Sequence, residues 1–425
     1  MSAIQDDKTY AQPHRAAGSG DREQGLKSAD RGLAVALLTG GADKPYALGL
    51  APTLAAEGVF VEFIGSDDID GPELHGTSRI KFLNLRGDQS PKAGRGRKLW
   101  RVLVYYARLL RYAATARPQV FHILWNNKFE FFDRTVLMQY YKLLGKKVVF
   151  TAHNVNAGKR DGNDSALNRF SLKCQYGLAD HIFVHSEKMK TELVSDFDIS
   201  AQKVSVIPFG INNTLPNTKL TSRDARAALG LTADEKVLLF FGNIAPYKGL
   251  DYLIPALAEV SRDGEDYRLI IAGRPKGCEP YWLDVQQRME QSGVRRRVLE
   301  KIEYIPDDQV EMYFKAADVL VLPYNHVFQS GVLFLGYSFG LPAIATDVGS
   351  MKDEIVEGQT GFTCRAQDPA DLARAIKMYF ASELFENLAK RRPVIQAHAN
   401  EQYSWTRVGE ITRNTYAGLL AAPSA

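Results

Sequence analysis

Phe240-Phe241-Gly242-Asn243-Ile244-Ala245-Pro246-Tyr247-Lys248-Gly249-Leu250 is the stretch on which the reading of this chain turns. An apolar run (residues 237–241) breaks into a glycine turn. Five residues after Asn243 comes a lysine, and the helical pattern Leu250, Leu253, Ile254, Leu257 follows. Strand, loop and helix succeed one another, with Lys248 delivered to the mouth of the loop. Glycine turns and helix N-termini present free backbone N–H groups that suit phosphate oxygens, and the lysine adds a point charge. The stretch points to a diphosphate-bearing ligand. A tight strand-to-helix turn also needs glycine for steric reasons alone, so its neighbours must be read with it.

Downstream, Leu269-Ile270-Ile271-Ala272-Gly273 is another buried strand ending in glycine. Tyr304-Ile305-Pro306-Asp307-Asp308 precedes a helix over 309–317, with the two aspartates as its caps. A strand over 318–323 leads to Ser330-Gly331-Val332-Leu333, a helix to Phe339, and Gly340-Leu341-Pro342-Ala343-Ile344-Ala345-Thr346-Asp347-Val348-Gly349. Glu354-Ile355-Val356 and Gly358-Gln359-Thr360-Gly361-Phe362 close the series. Upstream, short apolar runs over 33–38, 59–64, 120–124, 147–151 and 181–185 lack alternation, as strands of a parallel sheet do. Helical patterns lie between them, so the chain reads as α/β.

The ordered set from about Val204 to Phe362 resembles the nucleotide-sugar domain of family 4 glycosyltransferases, retaining enzymes of the GT-B fold. The upstream half matches in Gly40-Gly41, Thr151-Ala152-His153-Asn154 and Val206-Ile207-Pro208-Phe209-Gly210. The resemblance implies two Rossmann-like domains facing across a cleft. The boundaries expected are a disordered tail (1–31), an acceptor-binding domain (32–212), a linker (213–230), a nucleotide-sugar domain (231–398) and a C-terminal helix packing back on the first domain (399–425).

What the resemblance implies residue by residue is as follows. Lys248 neutralises the donor diphosphate and His153 faces the donor sugar; these two are the catalytic candidates. Gly40 and Gly41 approach the diphosphate, although a plain strand-to-helix turn explains them equally. Gly242 and Asn243 form the second glycine loop, and Ile305 lies near the base. Gln329, Ser330, Gly331, Val332 and Leu333 form the sugar loop. Glu354 matches a family glutamate or serves as a helix-start acid. Two departures stand out. Where the family has an arginine this chain has Asn243, so Arg274 or Lys276 is expected to supply the missing charge, unless both are solvated turn cations. The paired glutamates usual around the sugar loop are absent from residues 328–336.

The segment 91–118 holds eight basic residues and no acid. Leu99, Val102, Leu103, Tyr106, Leu109, Leu110 and Ala113 keep helical spacing, while Arg97, Arg101, Arg108 and Arg111 occupy another face. Either this is an ordinary layer helix, its apolar face on the sheet, or Lys98, Arg101, Arg108 and Arg111 meet an acceptor or an anionic membrane surface.

Composition sets the bounds. A chain of 425 residues suits two domains, and a net charge of +4 gives no whole-protein case for nucleic acid. Three distant cysteines show no metal spacing and favour a reducing, cytoplasmic setting; peripheral contact to the inner membrane face is the expectation that the basic helix over 91–118 adds. The start does not read as a signal peptide. Asp68/Asp70 and Asp196/Asp198 read as solvated loop acids, so neither a metal nor a cofactor is expected beyond the donor substrate. The function implied is retaining transfer of a sugar from a nucleotide diphosphate sugar to a lipid-linked or polysaccharide acceptor. A nucleotide-sugar epimerase and a non-catalytic nucleotide-sugar-binding scaffold are the alternatives.

Overall fold

The computed structural model describes residues 32–421 apart from 41–43, 91–93, 161–163, 212–214 and 276. The tail 1–31, Gly41, Lys276 and the first residues of the expected linker therefore lie outside the described residues. Leu33–Ala425 forms one unit.

Two parallel sheets organise it. The first joins β1 (Ala34–Leu38), β2 (Phe60–Gly65), β3 (Ile80–Asn84), β4 (Val120–Ile123), β5 (Lys147–Thr151), β6 (His181–Val184) and β7 (Val204–Val206) in the order β3-β2-β1-β4-β5-β6-β7. The second joins β8 (Lys236–Phe241), β9 (Tyr267–Ala272), β10 (Val298–Lys301), β11 (Val319–Leu322), β12 (Ala343–Thr346) and β13 (Gly361–Cys364) in the order β10-β9-β8-β11-β12-β13. The four edge strands, β3, β7, β10 and β13, are not among those expected from apolar runs. An edge strand is covered less completely, so its sequence need not be continuously apolar; β10 has no fully buried residue.

Each sheet reverses its strand order once, between β1 and β4 and between β8 and β11. Open parallel sheets bind ligands beyond the strand ends at such switch points. Glycines make both possible. Gly40 has φ +61°, and a Cβ there would sit 2.3 Å from the carbonyl oxygen of Trp125. Gly249 has φ +66°, and its Cβ would sit 1.8 Å from the carbonyl oxygen of Pro323. In each case the loop after one strand lies against the loop after its switch-point neighbour, at a separation only glycine allows.

The first sheet is covered on one face by α1 (Lys44–Ala56) and the terminal helix Trp405–Ala421. That helix crosses back to the first sheet: Val408 and Tyr416 are fully buried there, and Tyr416 Oη lies 2.5 Å from His122 Nδ1. The other face carries α2 (Arg95–Thr115). Tyr105, Tyr106, Leu109 and Ala113 of α2 are buried, but Leu99 and Leu103, read as part of its packing face, are 55% and 49% exposed. Helical spacing assigns residues to a face; only where the sheet lies beneath it is that face covered.

Candidate active site

On the second sheet, Gly242 (φ +97°) follows β8 and Gly273 follows β9. A Cβ on Gly273 would meet the Gly242 carbonyl oxygen at 1.9 Å, and Ile244 N–H donates to Arg274 O at 2.9 Å. The two glycine loops therefore run side by side. Pro246–Lys248 forms one 3-10 turn, which swings Lys248 back over the loop before the helix Leu250–Val260 starts. Lys248 Nζ would lie 3.0 Å from a Cβ on Gly242, and Val332 Cγ2 3.6 Å from it. The lysine, the glycine loop and the start of the helix Gly331–Ser338 thus converge.

Lys248 is only 6% exposed. It sits over the Tyr324 ring, 5.4 Å from its centroid, with no carboxylate partner among the described residues. Burial lowers its pKa from the ordinary lysine value, opposed by the neighbouring Tyr247. A buried ammonium without a counter-ion is costly, and an incoming anion removes that cost. Gly331 and Val332, the first two helical residues, have N–H groups without intrahelical acceptors. Leu333 N–H is already taken by Ser330 O at 3.0 Å, and the Ser330 hydroxyl caps it at 3.4 Å. Ser330 is therefore a buried cap, and the buried Leu333 contributes packing.

Other expectations are refined. Asn243 and Arg274 are both exposed, and Arg274 lies over the Tyr304 ring at 5.7 Å, beside the buried Ile305. Gln329 Nε2 donates to Glu354 Oε1 at 3.0 Å, leaving Gln329 Oε1 buried without a partner. Glu354 starts no helix, contrary to one of its two readings. It lies in a turn, accepts from Tyr403 as well, and burial raises its pKa. Asp307 and Asp308 are not caps: the helix Asp307–Ala316 begins at the first of them, and they act through the helix dipole.

On the first sheet the strand ends gather rings. His153, just past β5, stacks on Trp125 with centroids 4.1 Å apart and planes 1° apart. Tyr46 and Phe209 approach the same imidazole edge-on at 4.7 and 6.2 Å. His185, just past β6, places Nε2 3.0 Å from His153 Nδ1 and Nδ1 3.3 Å from Ile207 O. Those partners assign the protons. A carbonyl only accepts, so His185 Nδ1 carries hydrogen. Burial holds His185 at a pKa of about 4, so the ring is neutral and its Nε2 is a lone pair. His153 Nδ1 must then donate. His153 is itself held well below the usual imidazole range by burial and the nearby His185, so its Nε2 is a lone pair too. That nitrogen is buried and has no partner. In that tautomer it can only accept.

Phe209 connects the two halves. It stacks on Phe334 at 5.4 Å, faces His153 and His185, and lies 3.8 Å from where a Gly331 Cβ would stand. Trp125, His185, Tyr46 and Phe209 were not singled out from sequence. Trp125 and His185 could have been, because each follows the carboxyl end of a strand. Among the described residues, no group of His, Cys, Asp or Glu side chains could hold a metal ion.

The family described as "Glycosyl transferases group 1" matches residues 235–382, and "Glycosyltransferase Family 4" matches residues 40–215. The chain has the two-domain GT-B fold, and a glycosyltransferase family model matches a part of each half. Among GT-B structures, sucrose-phosphate synthase from Thermosynechococcus elongatus superposes with a TM-score of 0.71 at 19% identity, covering 92% of this chain and 99% of that one. Anabaena HepE in complex with UDP and glucose gives 0.69 at 18% identity, covering 91% and 100%. In sequence, the D-inositol 3-phosphate glycosyltransferase of Streptomyces bingchenggensis is 30% identical over 254 residues, 57% of this chain and 54% of that protein. The chain spans about half the length of the curated relatives it matches.

Proposed function

We propose that the protein is a retaining glycosyltransferase that moves a sugar from a nucleotide diphosphate donor to a lipid-linked or polysaccharide acceptor. The observation carrying this reading is Lys248, buried without a carboxylate partner among the described residues where the Gly242 loop meets the start of Gly331–Ser338. A fixed cation and two helix-start N–H groups suit the two charges that develop on a departing diphosphate. Preorganised electrostatics of this kind commonly lower a reaction barrier more than any other single effect. The names of the GT-B neighbours that hold UDP or UDP-glucose support a nucleotide-sugar donor.

No acid stands in the sugar loop, and retention without an enzymic nucleophile fits that. The glycosidic bond from the anomeric carbon to the diphosphate breaks. The acceptor oxygen then bonds to the same face, and its proton passes to the departing phosphate oxygen. His153 Nε2, an acceptor only, binds and orients a sugar hydroxyl during this step. Lys248 meanwhile compensates the leaving group. Among the described residues no helix is long and apolar enough to cross a membrane.

The test is incubation of purified protein with labelled UDP-, GDP- and ADP-sugars plus a membrane lipid extract, with Lys248→Ala alongside. Label entering the acceptor fraction from one donor, lost in the variant, with the anomeric configuration kept by NMR, is expected. A new free donor sugar without acceptor would show epimerisation instead. Tight nucleotide binding without turnover would show a scaffold.

A further inference from the structure

The loop between β11 and the helix Gly331–Ser338 has no regular structure, yet two successive residues of it are buried in different cores. Val327 belongs to the core of the second sheet. Phe328 belongs to the first domain's cluster, the one that includes Ala152, Val155 and Tyr176. The backbone at this point is held from the second domain, where the Ser350 N–H and hydroxyl each donate to Phe328 O at 2.9 Å. Gly349 (φ +61°) makes that approach possible, because a Cβ there would stand 1.9 Å from Val327 O and 2.7 Å from Phe328 O. A backbone fixed by one domain thus delivers a ring into the core of the other.

The next residue is tied as well. Gln329 Nε2 donates to Glu354 Oε1 at 3.0 Å, and the other oxygen of Glu354 accepts from the Tyr403 hydroxyl. Tyr403 lies where the chain leaves the second domain for the terminal helix on the first sheet. Its carbonyl accepts from Ile211 N–H at 3.0 Å, and Ile211 O accepts from Trp405 Nε1 at 2.8 Å. Ile211 follows β7 on the way to β8, so it lies on the crossing in the other direction. Both crossings therefore meet at the Tyr403 backbone, and the Tyr403 side chain reaches through Glu354 to the sugar loop.

We propose that Phe328, together with the Tyr403–Glu354–Gln329 chain, positions the sugar loop for transfer, so that the loop is in register with His153 only while the Phe328 ring is seated. The assignment rests on the transferase reading above and adds positioning residues to it. Lys248 and the N–H groups of Gly331 and Val332 lie in the second domain, and His153 lies in the first. A ring buried in the first core, three residues before that helix start, fixes one set against the other. Its loss leaves each set intact and frees the distance between them. Misplacing reacting groups by about an ångström can cost roughly 100-fold in rate.

In the transfer assay Phe328→Ala is expected to lower kcat about 100-fold, with Kd for the tightest-bound of UDP, GDP and ADP unchanged by calorimetry. Phe328→Leu keeps an apolar side chain and should recover most of the rate. Tyr403→Phe keeps the ring against Phe334, with centroids 4.6 Å apart, and removes only the hydroxyl. It is expected to lower kcat about tenfold, as loss of a hydrogen bond to a charged group does, again with Kd unchanged. Small-angle scattering should give Phe328→Ala a larger radius of gyration than the wild type. Wild-type kcat in Phe328→Ala or in Tyr403→Phe overturns the positioning role. So does a Kd that weakens in step with kcat, since the nucleotide groups themselves would then be damaged. Should Phe328→Ala not fold, Tyr403→Phe decides. A wild-type protein that transfers nothing refutes the transferase reading instead; scattering then decides the placement of Phe328, and an unchanged radius overturns it.

Discussion

The carboxyl ends of β1 and β4 and those of β8 and β11 occupy the same topological place in two sheets, yet they are furnished in opposite ways. At the first, Tyr46, Trp125, His153, His185 and Phe209 pack ring on ring, and both imidazoles are neutral. At the second, two glycine loops and a helix start surround a single buried lysine. The neutral cluster can orient a hydroxyl but cannot hold a diphosphate. The cationic loop suits a diphosphate, whose departing oxygen takes the acceptor proton in the proposed reaction. Division of labour between two copies of one architecture follows from which strand ends carry rings and which carry glycine.

Breaking the cationic side should have the larger effect. Lys248→Met is expected to lower kcat by about 100- to 1,000-fold, the range for removing one transition-state donor. Its Tm should stay level or rise, since a buried uncompensated charge has gone. Transfer at the wild-type rate would remove Lys248 from the chemistry. On the ring side, His153→Phe should cost about 100-fold, whereas His185→Phe should cost roughly tenfold, because it leaves His153 Nε2 in place but frees its tautomer. If His185→Phe proves as damaging as His153→Phe, His185 does more than fix the tautomer of His153.

Acid should separate the sheets next. His122, His181 and His185 are held by burial at about 3, 4 and 4, below an ordinary value of about 6.5. The unfolded chain binds these protons first, so the first sheet is fully stable above pH 6.5 and loses stability as pH falls towards 4. Carboxylates act in both domains. Burial raises Glu354 and Asp318 in the second and Asp133 in the first, which favours the folded state on acidification. The hydrogen bond with Arg374 lowers Asp371, so the contrast rests on the three histidines. Hydrogen exchange at decreasing pH should therefore show β4 to β6 opening before β8 to β12. The reverse order would refute the contrast. Arg274→Ala should have the smallest effect: the side chain is exposed, so its contribution is about 1 kcal/mol or less. That corresponds to a rise in donor Kd of no more than about fivefold.

Part of the site is legible before folding. Gly40, Gly242 and Lys248 announce themselves because a positive φ, a tight loop and a helix start are local demands. The ring cluster is not legible in the same way. His153 is visible after β5, but Trp125, His185 and Phe209 come from three other segments, and nothing local says they will stack on it. Gln329 shows the same limit: its partner, Glu354, is on a distant turn.

The order of apolar runs and glycine turns by itself determined two parallel sheets, their central strands and the lysine at the second switch point. Periodicity and backbone conformation are set within a few residues. Tertiary structure alone decided which turns of α2 are covered, that His185 meets His153, and that Trp125 stacks on it. Burial and hydrogen-bond satisfaction depend on what arrives from elsewhere in the chain, and spacing along one segment holds no record of that.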